Sequence, residues 1–152
     1  MKTPYWDRDD LKRIQTQWHK LTGLHSREEW SAAIVRAATA AELAANFAIR
    51  AEFSARSQLD ADFVNSLLRW ANGLAGKIDR LLIPITTGQA KADAVRGLKP
   101  LSDTINAKRN SIAHQGEFCN NGEATAIIEQ TRTFIQTLIR LYEPAFALKD
   151  KP

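Results

Sequence analysis

The chain has 152 residues, of which 44% are hydrophobic and 25% are charged. This composition is typical of a soluble globular protein, and the length is typical of one domain that buries a core without disulfide bonds. The single cysteine, Cys119, excludes an internal disulfide framework, and no cysteine or histidine cluster has the spacing of zinc ligands. The net charge of +4 permits an anionic partner without requiring one.

Neither a targeting segment nor a membrane span is evident in the sequence. The N-terminal residues MKTPYWDRDD are charged and lack the apolar run of a signal peptide. No apolar stretch reaches the length that a membrane-spanning helix needs. We therefore expect a cytoplasmic protein with no membrane partner.

Apolar residues recur at three- and four-residue steps, and this period predicts an all-α fold. A first helix is predicted from about Asp7 to Leu21. Ser26 and Glu29 match the capping box that opens a second helix, which is predicted to run to about Arg56. The apolar stripe of this second helix is rich in alanine, and small side chains allow a neighbouring helix to approach closely.

A third helix is predicted to begin after Asp60 as its N-cap and to end at Pro84, because proline interrupts a helix. Phe63 lies in its predicted apolar stripe. The segment from Pro84 to Gly97 is expected to be irregular.

A fourth helix is predicted from about Lys99 to Ala113, and Gly116 suits the left-handed position that follows a helix end. Asn120-Asn121-Gly122 is a turn signal, and a last helix is predicted from about Glu123 to Tyr142. The sequence therefore predicts one domain, residues 1–152, that is a bundle of about five helices.

Three polar residues, Arg109, Asn110 and His114, lie near the end of the fourth predicted helix. On an ideal helix Arg109 flanks the apolar stripe and diverges from His114 by about 140°. The two can serve one site if the helix ends near His114, if the arginine reaches round, or if two copies of the helix meet. His114 is the stronger candidate for chemistry near neutral pH, because His19 and His25 have no comparable companions.

Glu42 lies at the border of the alanine-rich stripe of the second helix, where a carboxylate is costly unless it is paired. Arg109 is the partner that we expect, because it flanks the stripe of its own helix. Glu42 could instead reach solvent or pair with Arg50 or Lys77. The sequence leaves these alternatives open.

The segment from Arg109 to His114, RNSIAH, resembles the Arg-Asn-x-x-x-His signature of the HEPN superfamily. These all-α domains occur in prokaryotic toxins, phage-defence proteins and RNA-processing enzymes. The surroundings agree, because the motif lies late in a helix and is followed by a turn and a further amphipathic helix. Glu42 is similar to the acidic residue that many such domains carry upstream.

The resemblance implies metal-independent cleavage of RNA in a homodimer, at a composite site where two domains face each other. The residue types suit this chemistry, because a histidine can transfer protons and a guanidinium can hold phosphate oxygens. Arg109 and His114 are then the catalytic candidates, and Asn110 and Glu42 support them. No metal or other cofactor is expected. A toxin or defence role would add an antitoxin or another partner protein.

A non-catalytic module for dimerisation or partner binding is the competing interpretation, since the motif could also serve as a polar interface. The charge of +4 is modest, and no basic stripe is interleaved with aromatic residues as in a platform for single-stranded RNA. Lys108 and Lys99 are the nearest candidates for weaker contacts with RNA.

Overall fold

The structure is a computed structural model that describes residues 9–56, 61–70 and 73–150. These residues form an all-α structure, as predicted, and the described ranges contain no β-strand. In chain order the elements are α1 (Asp10–Ser26), α2 (Trp30–Arg56), α3 (Ala61–Trp70), α4 (Gly73–Gly76), a π-helix (Lys77–Leu82), α5 (Ile83–Thr86), α6 (Ala92–Gly97), α7 (Lys99–Gln115) and α8 (Asn121–Arg140). Five of these elements have ten or more residues, namely α1, α2, α3, α7 and α8.

The central helix of the bundle is α2, which packs against α1, α3, α4, the π-helix, α7 and α8. The reason lies in its composition, because small side chains let helices approach from several directions. The alanines that α2 buries are Ala33, Ala37, Ala38, Ala40, Ala41, Ala44, Ala45 and Ala48.

The apolar character of α2 corrects the expectation that no segment has the length and composition of a membrane span. Trp30–Ala55 reaches a mean hydropathy of 1.3 in its most apolar 18-residue window and is long enough to cross a membrane. That window is 56% buried inside the structure, and the core helix of a globular protein passes the same test of length and composition.

The boundary between α1 and α2 differs from the prediction. Helix α1 continues through Gly23 to Ser26, and the Ser26 hydroxyl donates to the carbonyl of Thr22 instead of capping α2. The Glu29 carboxylate accepts from Arg27, so the predicted capping box is wrong. Leu24 packs against the core, and this contact favours continuation of α1 past Gly23, although glycine costs roughly 1 kcal/mol within a helix.

The third predicted helix is divided into shorter elements, and the predicted N-cap Asp60 lies outside the described residues. Phe63 is 52% exposed, whereas Val64 and Leu68 are buried, so the predicted stripe of α3 is wrong by one residue. Two apolar faces lie side by side on this helix, and periodicity alone does not distinguish which one is buried.

The segment from Pro84 to Gly97 is more ordered than predicted. Pro84 lies in the first turn of α5, directly after the π-helix, so the helical segment does not end at this proline as predicted, and helix α6 follows. The connection between them is held by Glu52, which is 3% exposed and accepts from Gln89 at 2.9 Å and from Lys91 at 2.8 Å. These long-range contacts have no signal in the local sequence.

The connection from α7 to α8 largely follows the prediction. Helix α7 ends at Gln115, and Gly116 has the expected left-handed backbone with φ of 67°. Asn120 forms a capping box with Glu123, so the predicted turn supplies the N-cap of α8 instead of a separate loop. The left-handed Gly116 after α7 and the capped start of α8 together fix the helix end that carries His114.

Candidate active site

A cavity of about 440 Å³ lies between α2, α4 and α7. The four residues that the sequence singled out as catalytic or supporting all line it, together with residues that were not predicted. The lining residues are Ala38, Thr39 and Glu42 of α2, Gly73 and Leu74 of α4, and Asn106, Arg109, Asn110 and His114 of α7.

Arg109 and His114 reach this one cavity within a single chain. His114 lies in the last turn of α7, which ends one residue later, and both side chains are exposed. Helix α7 therefore ends near His114, as the first of the three arrangements requires, and both residues line a cavity of the same chain.

The guanidinium of Arg109 retains most of its donors for a ligand. Its Nη1 donates to Oδ1 of Asn110 at 3.3 Å, and no carboxylate of the described ranges lies within ion-pair distance of it. The Asn110 contact orients the guanidinium at the cavity wall. A forked, permanently charged group in this setting is suited to phosphate oxygens.

The imidazole of His114 is also available. It makes no hydrogen bond to any of the residues that the structure describes. A neutral imidazole has one N–H donor and one acceptor nitrogen, and a histidine can therefore serve either proton-transfer step, as acceptor or as donor. His25, by contrast, lies within 3.1 Å of the Thr125 hydroxyl and packs against Trp30, away from the cavity.

Glu42 pairs with Lys77 and not with Arg109, which corrects the expected pairing and confirms one of its alternatives. Nζ of Lys77 lies 2.8 Å from Oε1 of Glu42. Burial explains the choice, because the Lys77 side chain is only 5% exposed and a buried ammonium requires a counter-charge. Arg109 is exposed, and water can solvate its charge.

Asn106 and Gly73 are cavity residues whose roles the sequence did not reveal. Gly73 has φ of 70°, and a Cβ atom added to it would lie 3.0 Å from Oδ1 of Asn106. The amide of Asn106 therefore packs directly on the backbone of α4. The spacing of Asn106, Asn110 and His114 at four-residue steps was the available signal, since such residues share a helix face.

Lys108 and Lys99, the weaker candidates for RNA contacts, are both engaged with carboxylates. Nζ of Lys108 lies 2.6 Å from Glu117 and 2.6 Å from Glu123, and these bonds raise the pKa of Lys108 well above its ordinary value. Lys99 lies 3.2 Å from Asp103, whose hydrogen bond raises its pKa also. Their charges are offset locally, so each offers less attraction to a phosphate than an unpaired lysine.

Glu117, Cys119 and Glu123 bring potential metal-ligand atoms within 4.8 Å of one another, a grouping that the sequence did not reveal. The ammonium of Lys108 already lies against both carboxylates. It supplies the positive charge that a cation would otherwise bring.

Among protein-family models, curated proteins and solved structures, none matches this chain. Its function is therefore inferred from the chemistry of the cavity and from the motif that extends from Arg109 to His114.

Proposed function

We propose that the protein is a metal-independent endoribonuclease of the HEPN type, with its active site in the cavity between α2, α4 and α7. One observation carries the proposal. Arg109, Asn110 and His114, the residues of the motif, line a single cavity of about 440 Å³ together with Glu42. Arginine and histidine side chains that are both exposed and unpaired with carboxylates are suited to binding and cleaving a phosphodiester.

The reaction is attack of a ribose 2′-hydroxyl on the adjacent phosphorus, with departure of the 5′-oxygen of the next nucleotide. His114 accepts the proton of the hydroxyl or delivers one to the departing oxygen. Arg109 donates hydrogen bonds to the non-bridging oxygens, where negative charge accumulates in the transition state. Asn110 keeps the guanidinium oriented through the contact at 3.3 Å.

A homodimer with a composite site is part of this proposal, because two proton transfers are needed and one chain supplies one histidine at the cavity. In a two-fold dimer the surfaces of two identical helices meet, which would bring a second His114 to the reacting phosphate. Two features support a contact here. The α7 side chains of the motif are exposed, and Phe118, four residues beyond His114, is 94% exposed.

The test is cleavage of single-stranded RNA by the purified protein in the presence of EDTA. We expect products with 2′,3′-cyclic phosphate and 5′-hydroxyl ends, and no cleavage of DNA, which lacks the attacking hydroxyl. His114→Ala is expected to abolish cleavage with the fold intact, because the side chain is exposed. His19→Ala, the same chemical change on α1 outside the cavity, is the matched control.

A non-catalytic dimerisation or partner-binding module is the second candidate. The exposure of Phe118 and the pairing of Lys108 and Lys99 with carboxylates favour it, because they suit a protein surface better than an RNA track. If wild-type protein cleaves no RNA from a broad cellular pool and behaves as the His114→Ala variant does, the endoribonuclease proposal is wrong and this candidate replaces it.

A further inference from the structure

The walls of the cavity carry different charges. Arg109 and His114 belong to α7, whereas the carboxylate of Glu42 belongs to α2. A phosphate is attracted by the guanidinium and repelled by the carboxylate. A nucleotide that fills the cavity would therefore place its phosphate at the α7 wall and a group rich in N–H donors at the α2 wall.

The carboxylate of Glu42 is fixed in place but still able to accept hydrogen bonds. Lys77 donates to Oε1 at 2.8 Å, and no residue of the described ranges donates to the other oxygen, Oε2. The side chain is 40% exposed and lines the cavity. Because an ionised carboxylate has about four acceptor positions, several remain for a ligand.

The remaining lining suits a heterocyclic base. A volume of about 440 Å³ falls within the range of small-molecule sites, which is about 300–1,000 Å³. The carboxamides of Asn106 and Asn110 supply further donors and acceptors, and Leu74 and Ala38 supply apolar surface. A base can thus be held by its edge and by its face.

The four bases of RNA differ in what they offer a carboxylate on their Watson–Crick edges. Guanine presents two neighbouring donors, N1–H and the 2-amino group, which match the two oxygens of a carboxylate. Adenine and cytosine each place an amino group beside an acceptor nitrogen, and uracil places one N–H between two carbonyl oxygens. The acceptors in these three bases face the carboxylate unfavourably.

From this match we infer that the cavity is a guanine-binding subsite, in which Glu42 accepts from N1–H and the 2-amino group while Arg109 holds the attached phosphate. Lys77 is the positioning residue that keeps the carboxylate oriented. The inference adds to the proposed endoribonuclease function that guanine is the base beside the cleaved phosphate. A test by cleavage therefore rests on that proposed function.

Binding of mononucleotides tests the inference without any cleavage. Guanosine monophosphates with the phosphate on the 3′ or the 5′ oxygen are compared with the inosine, adenosine and uridine monophosphates by calorimetry. Inosine lacks only the 2-amino group, and loss of one hydrogen bond to a charged acceptor is expected to weaken binding roughly 10- to 100-fold. Glu42→Gln, which retains an acceptor for Lys77, is expected to remove this preference, whereas Glu143→Gln on the surface keeps it.

Equal affinity of wild-type protein for the guanosine and inosine nucleotides would overturn the inference, as would a guanine preference that persists in Glu42→Gln. The wild-type comparison stands even if the variant does not fold. Cleavage of oligoribonucleotides that contain one guanosine separates the two proposals. Cleavage without base preference overturns the guanine subsite alone, whereas guanine-selective binding without cleavage in EDTA overturns the endoribonuclease and retains the subsite.

Discussion

Nζ of Lys77 lies 2.8 Å from Oε1 of Glu42, although the lysine side chain is 5% exposed and the glutamate side chain is 40% exposed. The pair joins the π-helix to the central helix α2 at the wall of the cavity. The glutamate therefore has two roles. Its charge stabilises the buried ammonium of Lys77, and its second oxygen, to which no described residue donates, remains available to a ligand.

Glu42→Ala is expected to lower the free energy of unfolding by about 1–3 kcal/mol, because it leaves the ammonium of Lys77 without its counter-charge. Because the Glu42 side chain is 40% exposed, water can reach the ammonium of Lys77 in this variant, so we expect a loss in the lower part of that range. In the double variant with Lys77→Met most of the loss is expected to be recovered, since an apolar side chain of similar volume needs no partner. Denaturant unfolding of both variants measures this, and an unchanged midpoint for Glu42→Ala would contradict the role of the pair.

A composite site makes a prediction for mixed chains. Arg109→Ala and His114→Ala are each expected to be inactive alone. The composite site takes a histidine from each chain, so a heterodimer of a wild-type and a His114→Ala chain should be inactive. Addition of an equal amount of His114→Ala protein should therefore lower the activity per wild-type chain to about half in a two-fold dimer. Unchanged activity per wild-type chain, in a sample shown to contain heterodimers, would mean that each cavity works with the residues of its own chain.

Phe118→Ala is expected to weaken the proposed dimer about tenfold or more, because apolar anchors dominate the binding energy of interfaces. The melting temperature of the folded chain should change little, since the side chain is 94% exposed. Sedimentation equilibrium across a concentration series measures the shift. Phe63→Ala, which removes another large exposed apolar side chain of the described residues, is the matched control, and a wild-type protein that sediments only as a 17.0 kDa monomer would rule the dimer out.

The ion pair between Lys108 and Glu123 is expected to stabilise the fold to an extent that depends on pH in the acidic range. The hydrogen bond from Lys108 lowers the pKa of Glu123 below the ordinary value of 4.5, so this stabilisation is present above pH 4.5 and is lost as the pH falls through the folded-state pKa. The pKa of Lys108 is raised, so its own contribution is lost only in strongly alkaline solution. The difference in unfolding free energy between wild type and Lys108→Met should therefore shrink on acidification below pH 4.5, while Lys12→Met, at an exposed lysine of α1, should show no such trend.

The sequence was sufficient for features that depend on local spacing. The period of the apolar residues predicted the all-α fold, and Gly116 predicted the left-handed end of α7 because that conformation is nearly specific to glycine. The spacing of Arg109 and His114 near a helix end was also enough to suggest a shared site. Both side chains line the same cavity in the structure.

What the sequence could not predict depends on contacts between distant segments. Glu42 and Lys77 are 35 residues apart, and which cation meets the carboxylate is decided by burial of the lysine against α2. The phase of α3 depends on which of two apolar faces meets the core, and the capping of α2 depends on whether Leu24 is drawn into the core. Each of these outcomes is set by packing between elements.

The contact between Gly73 and Asn106 has a consequence for how the chain can vary. At Gly73 a Cβ atom would strain a backbone with φ of 70° and press on the amide oxygen 3.0 Å away, so a saturation library at this position should favour glycine, with asparagine and aspartate as the best-tolerated replacements. Gly76, three residues later at the end of the same helix, meets no atom within 4 Å and should accept alanine with a gain of about 0.5–1 kcal/mol. One glycine thus sets the shape of the cavity wall, and the other leaves room for the protein to become more stable.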